Sequence, residues 1–260
     1  MKIGIRNGTL KMDWAGAIET VARLGFDCVE LDVHPGYAET MMWQREGQQK
    51  LAENARSHGC EICSICLGAL WTTSPASDDG SVRNAACQLM QESTEVAAGL
   101  GATWILAPIT PGGDGVSEAD NVSRWIEAVK AVAPAAEDNG VFICLENVGR
   151  GCGKSAADLL RLIEGADMPH VGAYYDMGNA ILFGNDPVQE IRQLGNLVRI
   201  VHIKDHSDLL GQGDVPIRSC LQALNDIGYE GRGVMETMPT DDPVHAATYN
   251  LGFVHGLLSE

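Results

Sequence analysis

Four polar residues in the second half of the chain stand at or near the ends of short apolar runs. Glu146 follows Val141-Phe142-Ile143-Cys144-Leu145, Asp176 follows Val171 to Tyr175, His202 lies within Leu197 to Ile203, and Glu236 follows Gly233-Val234-Met235. If the runs are neighbouring strands, two glutamates, an aspartate and a histidine converge on one point. Three carboxylates buried together repel one another strongly in a low dielectric. A divalent cation removes that cost. Mostly oxygen donors with one imidazole suit one Mn²⁺ or Mg²⁺ ion, Co²⁺ or Zn²⁺ are also compatible, and an open coordination position would remain for substrate. Any single acid at a strand end serves equally well as the N-cap of the next helix. The argument rests on the four in succession.

Such convergence demands a particular frame, and the rest of the chain supplies it. An amphipathic stretch, a Gly able to stop a helix, and a short apolar run recur along the sequence. Examples are Leu24-Gly25 before Cys28 to Leu31, His58-Gly59 before Ile62 to Leu67, Leu100-Gly101 before Thr103 to Ala107, and Asn139-Gly140 before Val141. With Lys2 to Arg6, Val171 to Tyr175, Leu197 to Ile203 and Gly233 to Met235, these predict eight strands. Trp14, Ala17, Ile18, Val21 and Leu24 make one helical stripe, with Asp13 placed to cap it. Strands with almost no polar alternation, each followed by a helix, require a parallel sheet covered by helices. The expectation is an α/β fold, a (β/α)8 TIM barrel forming a single domain over residues 1–260, with an open doubly wound sheet as the competitor. In such barrels the carboxyl ends of the strands build the active site, which is where the four polar residues fall.

Composition excludes several classes. The chain has 260 residues, 45% of them hydrophobic, enough to bury one large core. Lys and Arg number 18 against 35 Asp and Glu, a net charge of -17 with no basic block, so neither nucleic acid nor an anionic membrane is an expected partner. Arg6 interrupts the place where a signal peptide would need apolar residues, and Val96 to Ile109 is too short and too polar to span a bilayer. The expected location is therefore the cytoplasm, with the eight cysteines as reduced thiols.

The segments Leu145-Glu146-Asn147, Asp176-Met177-Gly178-Asn179, His202-Ile203-Lys204-Asp205, Gly211-Gln212-Gly213-Asp214-Val215 and Ile227-Gly228-Tyr229-Glu230-Gly231, followed by Glu236, resemble the xylose isomerase-like TIM-barrel superfamily. Within it they are most similar to the sugar phosphate isomerase/epimerase branch. The resemblance implies a metal held by Glu146, Asp176, His202 and Glu236, with Glu146 and Glu236 doubling as catalytic acid and base. A carboxylate bound through one oxygen does keep the other free for proton transfer. It further implies a small carbohydrate substrate that epimerises or isomerises through a metal-stabilised enediolate. An inosose-type dehydratase would use the same first step, and a non-catalytic sugar-binding barrel is the reading of a different class. The pattern departs from free-sugar ketose 3-epimerases at Asn179 and Asp208, where those enzymes carry His and Arg. It departs from the endonuclease IV group at the ends of the second to fourth strands, which lack that group's additional metal-binding histidines. Pairing of barrels into a homo-oligomer is left open.

Around this set, Asn179, Lys204 and Trp71 are the expected substrate contacts. Lys204 shares strand parity with His202 and would reach a substrate oxygen or pair with Asp205, while Trp71 could line a sugar pocket or simply be buried. Cys60, Cys63 and Cys66 mimic a metal-ligand run, but period-two geometry separates odd spacings and core packing is the expectation. Gly149 to Ser155 misses a phosphate loop by one position, leaving Ser155 as a helix cap and Arg150 and Lys154 as solvated or phosphate-facing cations. His34, His58, His170, His245 and His255 have no placed partners in the sequence and are expected on the surface or satisfied in the core.

Overall fold

The computed structural model describes residues 1–238 and 240–259; Pro239 and Glu260, inside the expected 1–260 domain, lie outside the described residues. Among the described residues, eight parallel strands close into a barrel in sequence order: β1 (Lys2–Arg6), β2 (Cys28–Asp32), β3 (Glu61–Cys66), β4 (Trp104–Pro108), β5 (Phe142–Glu146), β6 (Val171–Asp176), β7 (Val198–Ile203) and β8 (Arg232–Met235). β8 pairs back onto β1, so no sheet edge is left open. The open-sheet alternative is thereby excluded.

The helices that cover the barrel are α1 (Trp14–Leu24), α2 (Arg45–Ser57), α3 (Gly80–Leu100), α4 (Glu118–Asp138), α5 (Ala156–Ala166), α6 (Met177–Leu182), α7 (Pro187–Leu194), α8 (Ile217–Asp226) and α9 (Pro243–Leu258). Their ends follow from local chemistry. Asp13 caps α1 by accepting from the Gly16 amide, and Gly25 ends the helix at φ 89°, a conformation that costs a residue with a side chain but not glycine. Ser155 caps α5 in the same manner. No helix among the described residues is long and apolar enough to cross a membrane.

Apolar side chains fall into two layers. The larger packs the outer face of the strands against the helices, while Cys28, Cys63, Cys66, Leu106, Cys144, Tyr174, Ile200 and Val234 fill the barrel itself. A barrel interior is narrow, and four small thiols fit where larger side chains would overpack. The cysteine parity expected from sequence is corrected here. Cys63 and Cys66 both point inward, because the β2–β3 register slips between Val29 and Glu30 and leaves Cys63 as an extra residue.

Candidate active site

The carboxyl ends of β5 to β8 place Glu146, Asp176, His202 and Glu236 side by side, with one donor atom of each inside a set whose members all lie within 4.8 Å of one another. His202 Nδ1 is 3.2 Å from Glu146 Oε1, 3.5 Å from Glu236 Oε2 and 3.7 Å from Asp176 Oδ2. Glu146, Asp176 and His202 are buried and Glu236 is half-buried.

The residue that orients this histidine lies on a strand the sequence did not implicate. Glu30, fully buried on β2, takes His202 Nε2 at 3.0 Å through Oε1, while its Oε2 accepts from Ser64 Oγ and Tyr174 Oη, both at 2.7 Å. With Nε2 committed to Glu30, only Nδ1 faces the acidic cluster. A carboxylate behind an imidazole in this way sets the tautomer of a metal ligand and raises its basicity. Burial alone would depress the His202 imidazole, but the Glu30 charge and the hydrogen bonds to Asp176, Glu146 and Glu30 raise it well above its ordinary value. Burial likewise opposes the Asp176 charge, yet Lys204 and His202 outweigh it and hold the carboxyl below its usual range.

Asp176 is also fixed through its backbone. Asn147 Oδ1 accepts the Asp176 amide at 2.8 Å and its Nδ2 donates to the Asp176 carbonyl at 2.9 Å. The Asp176 side chain caps α6 by accepting from the Asn179 amide at 2.7 Å, so this acid is at once a helix cap and a member of the cluster.

Lys204 Nζ sits 2.9 Å from Glu236 Oε2, 3.4 Å from Asp176 Oδ2 and 3.3 Å from Asn179 Oδ1. The alternative of a pair with Asp205 is corrected: Asp205 is buried and accepts from the amides of His206, Gly211, Gly213 and Val215. Arg6, at the end of β1, bridges Glu236 and Asp32. The acids therefore face a partial set of fixed cations as well as one another.

The donor set fits a divalent ion. Opposite ligands at metal–oxygen and metal–nitrogen distances of about 2.0–2.2 Å stand about 4.0–4.4 Å apart. Separations of 3.2 to 3.7 Å from His202 Nδ1, with no pair of donors beyond 4.8 Å, bring all four within reach of one ion. Glu146, Asp176 and Glu236 offer carboxylate oxygens and His202 its oriented Nδ1.

Above the cluster opens a cleft of about 490 Å³, and every expected substrate contact lines it: Asn179, Lys204 and Trp71. Trp71 is exposed at the mouth with Leu182 and Phe183, and the Arg150 guanidinium lies 5.9 Å from its ring centre. Lys154 is exposed and absent from this lining. A second lobe of about 450 Å³ adjoins through Arg6, His34, Lys204 and Glu236. His34, which the sequence left without a role, lines both lobes with Nε2 3.8 Å from Asp32 Oδ2.

Comparison with known proteins finds the same barrel. A family model described as xylose isomerase-like TIM barrel matches residues 18–253. A ketose 3-epimerase of Arthrobacter globiformis is 28% identical over 231 residues, 85% of this chain and 76% of that protein. The L-ribulose-5-phosphate 3-epimerase UlaE of Escherichia coli is 25% identical over 236 residues, covering 86% and 81%. Among solved structures, a D-psicose 3-epimerase with D-tagatose from Clostridium cellulolyticum H10 superposes with a TM-score of 0.86 at 22% identity over 99% of both chains. The 3-keto-D-glucoside 4-epimerase YcjR of E. coli superposes with a TM-score of 0.84 at 19% identity over 98% and 99%.

Proposed function

We propose that this chain, which belongs to the xylose isomerase-like TIM barrel family, is a divalent-metal-dependent epimerase of a ketose or ketose phosphate. The observation that carries this reading is the convergence of Glu146, Asp176, His202 and Glu236 under one cleft, with His202 oriented from behind by Glu30. When bound, a divalent ion supplies a Lewis acid for the ketone oxygen and the neighbouring hydroxyl.

The protein's own groups do the rest. One of Glu146 and Glu236 removes the proton from the carbon alpha to the ketone, and the other returns a proton to the opposite face of that carbon. The two glutamates come from β5 and from just after β8, so they enter the cleft from different directions. Lys204 and Asn179, tied to each other at 3.3 Å, hold substrate oxygens on the polar wall, and Trp71 lies against the carbon face of the sugar.

The test is metal content of the purified protein together with deuterium uptake from heavy water into ketoses and ketose phosphates. Bound metal with deuterium entering at the carbon alpha to the ketone, and the epimer at that carbon as product, is the expected result. Absence of metal affinity, or metal without exchange into any member of the panel, would overturn the reading.

A further inference from the structure

The opposite end of the barrel carries a feature that the proposed chemistry does not use. The β6–β7 register shifts between Ala173 and Tyr174: Ala173 faces Val198 and Tyr174 faces Ile200, leaving Arg199 as the extra residue of a bulge. Bulges re-aim side chains. Here the Arg199 stem runs over Gly172, where an added Cβ would come within 2.4 Å of Arg199 Cγ, and its guanidinium lies 4.7 Å from the centre of the Phe142 ring.

This guanidinium is short of partners. Arg232 and Lys2, the neighbouring cations on the barrel floor, share Glu61 Oε2 at 2.9 and 3.3 Å. Among the described residues Arg199 makes no side-chain hydrogen bond and no salt bridge, and its Nε is buried without an acceptor. Beside it opens a cavity of about 330 Å³ walled by Phe142, Trp104, Ile227 and Tyr229, with exposed Glu230 as its one acidic side chain. In a molecule of net charge -17, two cations sharing one partly exposed carboxylate, with Arg199 beside them unpaired by any acid, make the floor a local exception.

We propose that this floor cavity is a binding site for a small oxyanion, the carboxylate or phosphoryl group of a metabolite, held end-on by the two terminal Nη donors of Arg199. Two coplanar oxygens match the two parallel donors of an arginine edge. Because Nε is buried and one face of the guanidinium is taken by Phe142, the terminal Nη pair is the part that can meet the anion. The organic remainder lies against Trp104 and Ile227. The site is separate from the cleft above β5 to β8 and is independent of the reading of that cleft.

The experiment is calorimetric titration of the metal-loaded protein with inorganic phosphate and, separately, acetate, repeated on Arg199→Met and Arg199→Lys. The expected result is saturable binding of at least one anion, weakened about tenfold or more in both variants, since a point charge does not replace the two-donor edge. Tighter phosphate assigns a phosphoryl ligand, and tighter acetate a carboxylate. No saturable binding of either anion, or equal affinity in Arg199→Met, would overturn the proposal. Should the variants not fold, phenylglyoxal labelling of the native protein with peptide mapping gives a second readout. The bound anion must slow modification of Arg199, and an unchanged rate rejects the site.

Discussion

His202 can offer only one nitrogen to the cleft, and that restriction makes the cluster more than four nearby acids and bases. Replacing Glu30 by Gln removes the charge behind the imidazole and sets an amide N–H₂ against the hydroxyls of Ser64 and Tyr174. Divalent-metal affinity, read by Mn²⁺ titration with electron paramagnetic resonance, should fall about 10–100-fold. Glu146→Gln and Glu236→Gln should each lower solvent-deuterium exchange at least about 100-fold while retaining part of the metal affinity. Wild-type exchange in either variant would remove that glutamate from the acid–base pair. The histidine also sets a pH dependence. Its folded value is raised above the ordinary 6.5, so its protonated form stabilises metal-depleted protein fully below that ordinary value, and the contribution is lost as pH rises through the raised value. Metal needs the unprotonated Nδ1, so affinity should climb over the same window while the urea midpoint of metal-depleted protein declines. At this scale the four cluster residues were legible because each stands out in an apolar run. Glu30 was not, since an acid inside Cys28–Asp32 reads as an outward residue until the closed barrel shows which way it points. Arg6 was read only as a break in a leader-like stretch, and its bridge to Glu236 needs the β1–β8 closure to be seen.

Strand and helix positions followed from apolar periodicity and glycine stops, and the predicted runs match the observed strands closely. What periodicity misses is a slip of one residue. The shift at Val29/Glu30 overturned the parity argument for Cys63, and the shift at Ala173/Tyr174 turned Arg199 toward the floor, because each bulge moves later residues to the other face without changing the run that contains them. Loops are equally opaque. Asp205 follows β7 and looked like a partner for Lys204, but it gathers four amides of the segment leading to α8. Asp205→Asn keeps one acceptor oxygen and puts an N–H₂ against amide donors. It should cost about 1–3 kcal/mol of stability, seen as a lower urea midpoint, with the spectroscopic signature of the barrel intact. A midpoint equal to wild type would mean that the amides find other acceptors.

Over the whole molecule, the interior is sealed well enough to silence most of its sulfur. Seven cysteines are buried and Cys87 is partly exposed. Burial pushes Cys60 and Cys220 up to about 12 and Cys152 to about 11. A thiol reagent at neutral pH should therefore label Cys87 first and reach the other seven only as the protein unfolds, which makes labelling a reporter of global opening. Rapid labelling of several thiols in the native protein would show that the barrel opens locally.

The column from Ser64 and Tyr174 through Glu30 to His202 belongs to strands, whereas Trp71, Leu182 and Phe183 at the mouth lie beyond strand ends. The groups that orient His202 and the residues at the cleft mouth thus lie on different parts of the chain. On the proposed function, drift in the outer segments retunes which sugar is admitted while the oriented histidine beneath stays put, so divergence in this lineage should register first as changed diet and only later as changed reaction.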